Sequence, residues 1–240
     1  MVYRIVITPT QDQGGVIHLN PEQRHYLKNV LRLKDKNNFI AIDGTGKTYL
    51  AKLIGDNAQI IENLKESTEL PIPITLMISL PKGNGFDDII RSCTELGVNT
   101  FIPVISQRTL LKPSSHKLER WRKIATEATE QSERQIVPQI FDPVSFSEVL
   151  INVDKTNSDC YICVTRRKAA HLLTYLSNSC TAPITIATGC EGGWTEQEVN
   201  EAIAAGFVPV SLGSRILRGI TAPIVALSLV TSFVEKKSLP

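Results

Sequence analysis

Residues Pro183–Val230 read PITIATGCEGGWTEQEVNEAIAAGFVPVSLGSRILRGITAPIVALSLV. Two short apolar runs, ITIAT and FVPVSL, each open directly into a glycine-bearing loop: GCEGG at Gly189–Gly193 and LGSRILRG at Leu212–Gly219. Glycine lets a main chain approach a ligand closely and take positive φ, so such loops hold small molecules by backbone. After the first loop, Thr195 with Glu198 three residues on forms a capping box that starts a helix, and Gly206 supplies the left-handed residue that ends it. After the second loop comes PIVALSLVTSFV, helical and nearly all apolar. The unit is strand, loop, helix, repeated, which is the signature of a parallel sheet covered by helices. In such sheets ligands sit at the carboxyl ends of the strands, where both loops fall.

Working outward, the same rhythm begins at Ile74. ITLMISL, TFIPVIS, VPQI and CYICVT read as strands, and FDDIIRSCTELG, HKLERWRKIATEATEQ and KAAHLLTYLS read as helices between them. Before Ile74 the pattern is different: YRIVIT, GVIHL, NFIAID, TYLAKLI and AQIIENL are short strands broken at Gly14-Gly15, Asp43-Gly44 and Gly55-Asp56. One helix, Pro21–Leu33, interrupts them, with Asn20 as its cap and Pro21 in its first position. KESTELPIP at Lys65–Pro73 is the linker candidate. The expected fold is therefore α/β, with a small N-terminal β-barrel at 1–72 and a parallel-sheet domain at 73–240.

Composition excludes several classes. With 42% hydrophobic and 21% charged residues over 240 positions, the chain has enough apolar material for a core and is not a disordered polyelectrolyte. The longest uncharged apolar run, Ala222–Val230, falls far short of the ~20 residues that span a bilayer, and MVYRIVIT reads as a strand rather than a leader. No membrane is expected, and the cytoplasm is the expected location. Five cysteines, an odd number, fit reduced thiols. Cys160 and Cys163 form a CxxC within a strand-like run, where residues three apart face opposite ways, and no second pair completes a zinc set, so no metal is expected. The net charge of +2 hides a basic stretch: Arg108, Lys112, Lys117, Arg120, Arg122 and Lys123 stand against Glu119 alone. That segment either meets phosphate or keeps the protein in solution.

Several motifs have a plain reading beside the functional one. DGTGKT at Asp43–Thr48 suggests a phosphate-binding loop, but Ala41 stands where that motif needs glycine, and a hairpin turn fits better. GCEGG lacks the spacing of the dinucleotide fingerprint. Arg218 precedes an apolar helix that should be buried, which places it near the core with a specific partner, either a substrate or a structural acid. HYLKNVLRLK at His25–Lys34 puts Leu27, Val30 and Leu31 on one face, leaving Arg24, Lys28 and Arg32 either solvated or facing RNA. Trp121, in a stripe with Leu118, Ala125 and Ala128, is a core residue rather than a stacking platform.

The strings themselves are similar to a known family. HYLKNVLRLK, LPKGNGFDDIIRSCTELGVNTFIPVISQRT, ERWRKIATEATEQSERQIVPQI and GCEGGWTEQEVNEAIAAGFVPVSLGSRILRGITA resemble, in order, the blocks of the bacterial RsmE family of 16S rRNA uracil-N3 methyltransferases, in the SPOUT superfamily. The resemblance implies an N-terminal PUA-like barrel that grips RNA and a C-terminal SPOUT α/β domain with a deep trefoil knot. It also implies a homodimer, S-adenosyl-L-methionine as methyl donor, and a uridine in the decoding region of 16S rRNA, in the small ribosomal subunit, as target. By the family pattern the donor is held by Thr188, Gly189, Glu191, Gly193, Leu212, Gly213, Ile216, Leu217, Arg218 and Thr221, adjoining Ala222. Arg24, His25, Arg32, Lys82, Arg108, Arg122 and Arg134 match positions expected to meet RNA. Arg218, supported by Arg215, is the expected catalytic group. Two positions depart from the pattern: Cys190 stands where the family has proline, and Ile220 where it has glutamate. Two other readings stay open, a protein of this fold that binds RNA without turnover and a methyltransferase acting on transfer RNA.

Overall fold

The computed structural model describes residues 2–111, 113–152, 157–177 and 182–238; Lys112, from the basic stretch, lies outside them. The chain divides into two compact units, one running up to Glu69 and including Thr126–Val137, the other holding Leu70–Ala125 and everything from Pro138 onward. The return of 126–137 to the first unit is not legible in the alternation of strands and helices.

The first unit is built on a six-stranded sheet. Its strands are β1 (Arg4–Val6), β2 (Asp12–Gln13), β3 (Val16–His18), β4 (Asn38–Ile42), β5 (Thr48–Ile54) and β6 (Asn57–Leu64), in the order β1-β4-β5-β6-β3-β2. Ile5, Ile17, Phe39, Ala51 and Leu53 are buried and form its core, together with Leu27 from the helical segment. The turn at Asp43–Lys47 joins two antiparallel strands, so DGTGKT is a hairpin. Asp43 Oδ1 accepts the N–H groups of Thr45 at 2.8 Å and Lys47 at 2.9 Å, while Gly44 and Gly46 take φ of 73° and 117°. Asn20 caps α1 (Pro21–His25) in a capping box with Gln23. The helix expected through Leu33 instead widens into a π-helical turn at Tyr26–Val30 and stops where Arg32 takes φ 55°.

The second unit is a seven-stranded parallel sheet: β7 (Ile74–Ser79), β8 (Thr100–Ile105), β9 (Gln139–Ile140), β10 (Val144–Ser145), β11 (Asp159–Cys163), β12 (Ile184–Thr188) and β13 (Val208–Val210). The main order is β10-β8-β7-β12-β11-β13, with β9 on β8. All five residues of β12 are buried, as expected of a central parallel strand covered on both faces. The helices are α2 (Gly85–Glu95), α3 (Ser115–Gln131, whose last turns count with the first unit), α4 (Phe146–Asn152), α5 (Leu172–Leu176), α6 (Glu196–Ala204) and α7 (Thr221–Ser238). KAAHLLTYLS is only partly helical: 168–170 lie outside any helix, with the Ala170 carbonyl accepting the Ser211 N–H at 2.8 Å, and His171 then caps the short α5. The capping box of α6 and the left-handed Gly206, φ 95°, are as read from the sequence.

Trp121 is 1% exposed and its Nε1–H donates to Asp87 Oδ1 at 3.1 Å, so it is a core residue. Burial raises the Cys93 thiol pKa and pushes that of Cys163 up to about 12, which keeps both protonated. Among the described residues no helix is long and apolar enough to cross a membrane.

Candidate functional site

The carboxyl ends of β12, β11 and β13, neighbours in the sheet, open onto one cleft of about 620 Å³. Its wall is GCEGG on one side and Leu212, Gly213, Arg215, Ile216, Leu217 and Gly219 on the other, with Cys163–Arg167 and Arg108 completing it.

Close backbone approach holds the two glycine loops together. A methyl group on Gly189 would come within 3.1 Å of the Gly193 Cα, and one on Gly219 within 3.2 Å of both the Cys190 carbonyl carbon and the Glu191 nitrogen. A side chain at either position would force backbone atoms to give by a few tenths of an ångström, so glycine suits these contacts best. The first loop closes on itself through Gly193 N–H to the Cys190 carbonyl, 2.9 Å, with Gly193 at φ 66°. Arg108 then clamps it: Nη1 donates to the carbonyls of Gly192 at 2.6 Å and Trp194 at 3.3 Å. The Cys190 Sγ lies 3.5 Å from the Arg108 carbonyl, so the thiol tethers the loop at the position where proline was expected. Glu198, 2% exposed, anchors the start of α6 by accepting the N–H groups of Gln107 and Thr195, both at 2.8 Å.

The Glu191 carboxylate accepts the Lys82 backbone N–H at 3.2 and 3.4 Å, so it secures the Pro81–Asn84 loop after β7 while lining the cleft. Ile220 packs on the first residue of α2, where a methyl on Gly85 would come within 2.8 Å of its Cδ1. An apolar side chain suits that contact. At the cleft two buried polar atoms have no hydrogen-bond partner among the described residues: Thr188 Oγ1 under the first loop, and Nε1 of Trp194, whose tilted ring packs on Phe146 at 4.7 Å between centroids. A buried donor left unpaired costs free energy, which makes both atoms candidates for a bound group.

Of the residues singled out in the sequence, Gly189, Glu191, Gly193, Leu212, Gly213, Arg215, Ile216, Leu217 and Ala222 line the cleft, as does Arg108. Thr188 is buried beneath them and Thr221 begins α7, its N–H bonded to the Arg218 carbonyl at 2.9 Å. Arg218 differs from expectation. It is exposed rather than near the core, and its side chain has no hydrogen bond or ion pair among the described residues. The reason lies in α7, which buries Ala226, Leu227, Val230 and Val234 but leaves Ile224, Val225 and Leu229 half-exposed, so its amino end is not enclosed.

Arg134 also departs from expectation. It is 3% exposed, and its guanidinium meets the Glu69 carboxylate at 2.6 Å, so it is a structural ion pair of the first unit and does not face RNA. Arg24 and Lys28 share Asp56 at 3.2 and 2.7 Å, leaving one net positive charge, and Lys28 foremost holds that carboxyl below its ordinary pKa. His25 Nδ1 pairs with Asn29 at 2.9 Å. Arg122 meets Asp142 at 3.2 Å and Arg120 meets Asp87 at 2.8 Å, so part of the basic stretch is internally compensated. The side chain of Lys82 stays exposed.

Sequence reasoning missed Thr165, Arg166, Arg167 and Trp194 on the cleft wall. The rule that ligands sit beyond strand carboxyl ends applied to β11 as well and was the available signal.

Residues 68–231 match the family described as an RNA methyltransferase domain, and residues 19–62 the RNA methyltransferase PUA domain. Curated relatives called ribosomal RNA small subunit methyltransferase E include one from Synechocystis, 48% identical over 98% of this chain and 79% of its own, and one from Bacillus subtilis, 32% identical over 97% and 96%. A crystal structure of the Neisseria gonorrhoeae protein of that name, bound to S-adenosyl methionine, superposes with a TM-score of 0.86 at 33% identity, covering 95% of this chain and 96% of that one. A Legionella pneumophila protein described as a putative methyltransferase with bound SAM gives 0.86 at 25% identity, covering 97% and 98%.

Proposed function

We propose, from the premise that the chain belongs to the ribosomal RNA small subunit methyltransferase E family, that it transfers a methyl group from S-adenosylmethionine to N3 of a uridine in the decoding region of 16S rRNA. The observation that carries this reading is the cleft at the ends of β12, β11 and β13, walled by two glycine loops in backbone contact.

The residues present fit the donor. About 620 Å³ lies in the range of ordinary small-ligand sites. Backbone groups of Gly189, Gly193, Leu212 and Gly213 suit the polar edges of a nucleoside, Ile216, Leu217 and Ala222 its flat faces, and Trp194 Nε1 and Thr188 Oγ1 are donors in want of a partner. When bound, the donor supplies an electrophilic methyl on a sulfonium sulfur. The chain's part is to align nucleophile and methyl, and orientation of this kind supplies about 7–11 kcal/mol of barrier reduction.

Uracil N3 becomes nucleophilic when its proton leaves and charge spreads onto the flanking carbonyl oxygens. Arg218, exposed and without a hydrogen bond or ion pair among the described residues, is assigned the stabilisation of that charge, with Arg215 on the cleft wall in support. Glu191 is the carboxylate within the two glycine loops, and its bonds to Lys82 N–H make its first task the positioning of the loop after β7. The first unit, with Arg24, His25 and Arg32, is assigned the RNA grip, together with Lys82, Arg108 and Arg122 of the second.

The reading extends to a homodimer in the cytoplasm and to a trefoil knot around the cleft. Support for the dimer comes from α7, whose Ile224, Val225 and Leu229 are apolar yet half-exposed in the single chain. Support for the knot comes from connectivity: β13 pairs with β11, and the loop after it returns to touch the loop after β12.

Calorimetric titration with S-adenosylmethionine, followed by mass spectrometry of 16S rRNA after incubation with protein and donor, tests the proposal. One methylated uridine is expected. A cleft that takes no donor leaves a protein that binds RNA without turnover, and methylation of transfer RNA alone moves the substrate.

A further inference from the structure

The turn after β11, Thr165-Arg166-Arg167-Lys168, has no role in the account above. All four residues are exposed, and the first three line the cleft. Arg166 adopts φ 58°, a left-handed conformation that non-glycine residues take at a cost and that concentrates at functional sites. Its guanidinium has no hydrogen bond or ion pair among the described residues. Arg167 Nη1 donates to Asn200 Oδ1 at 3.2 Å, a neutral partner that steadies the group without cancelling its charge. No Asp or Glu occurs in the sequence from Cys160 to Cys190.

Charge on the cleft wall is correspondingly one-sided. Arg108 is occupied by the carbonyls of Gly192 and Trp194, whereas Arg166, Arg167 and Arg215 form no ion pair among the described residues. The acids on the wall are Glu191, engaged with Lys82 N–H, and Glu196.

We infer that the 165–168 turn is a phosphate subsite that holds the RNA backbone beside the target nucleotide. The inference rests on the proposed methyltransferase reading and deepens it. A carboxylate of the donor is the weaker candidate, because the donor also carries a sulfonium and an amine, which three adjacent cations repel. A phosphodiester chain presents several anions at the spacing of a run of basic side chains and takes up exposed charge by releasing counterions.

Arg166→Gly and the double variant Arg166→Gly/Arg167→Gln test it. Glycine accepts φ 58° without strain, so the first variant should melt no lower than the parent. Two measurements are made on parent and variants: calorimetry with S-adenosylmethionine, and filter binding of transcribed 16S rRNA over a series of salt concentrations. The expected result is unchanged donor affinity, RNA binding weaker by about tenfold in the double variant, and a salt slope shallower by about 1.4–1.8, for two lost phosphate contacts. RNA affinity and slope equal to the parent's would overturn the inference, and so would a loss of donor binding with the RNA slope intact, which would assign the turn to the donor's carboxylate. A parent protein that binds no donor would instead sink the methyltransferase reading itself.

Discussion

The contact between the two glycine loops is the feature of the cleft most open to a quantitative test, through Gly219→Ala. Gly219 has no positive φ, so alanine is compatible with its backbone and the whole effect falls on spacing. The new methyl would lie 3.2 Å from the Cys190 carbonyl carbon and 3.2 Å from the Glu191 nitrogen, where ordinary contact begins at 3.4 Å. Both neighbours are backbone atoms with no rotamer to yield. The loops must therefore part by a few tenths of an ångström, an overpacking that costs about 1–3 kcal/mol. If that cost falls on the geometry that holds the donor, affinity drops by about five- to 150-fold, at 1.4 kcal/mol per decade.

Gly206→Ala is the control. Gly206 sits at φ 95° at the end of α6 with open space around it, so a methyl there strains the backbone and touches nothing. Its cost is about 1–2 kcal/mol of stability, or about 2–8 °C in melting temperature for a chain of this size, with donor affinity unchanged. Titration calorimetry and thermal melts on the same samples separate the two. If Gly219→Ala binds S-adenosylmethionine as tightly as the parent, loop contact does not shape the site and the reasoning fails.

Other perturbations probe the remaining assignments. Arg218→Ala is expected to abolish methylation of 16S rRNA while leaving donor and RNA binding intact, since the side chain has no hydrogen bond or ion pair among the described residues; equal activity in a tritiated-methyl assay removes it from the mechanism. Arg134→Ala strands the Glu69 carboxylate, whose side chain is 10% exposed, and should cost about 3–5 kcal/mol in urea melts rather than act selectively on RNA affinity. Glu130 has a pKa raised to about 7, chiefly by burial, against the Val6 N–H that donates to it at 2.6 Å. An acid with a raised native pKa binds more protons folded than unfolded, so its contribution is complete below the ordinary carboxylate range and is lost as pH rises toward 7. Glu130→Gln should then melt higher than the parent at pH 8 and nearly equally at pH 4, and the same difference at both values would contradict that.

What the sequence disclosed and what it hid divide along the range of the interactions involved. The hairpin at Asp43–Lys47, the cap at Asn20 and the box of Thr195 and Glu198 are closed by atoms within four residues of each other, so their spelling carries their geometry. The two glycine loops were legible for the same reason, each lying against its own strand. The Arg166 turn joins them only because β11 sits between β12 and β13, an order that local periodicity does not contain. Arg134 and Arg218 were misread in opposite directions by one omission. An arginine's surroundings depend on whether an acid distant in sequence reaches it: Glu69, 65 positions away, takes Arg134 out of solvent, while among the described residues none pairs with Arg218. A guanidinium's availability to substrate is thus a property of the folded charge map, and the family resemblance, which matches letters, gives Arg134 to RNA and Arg218 to catalysis without regard to it. The structure separates them, leaving Arg166, Arg167, Arg215 and Arg218 as arginines at or next to the cleft with no ion pair among the described residues.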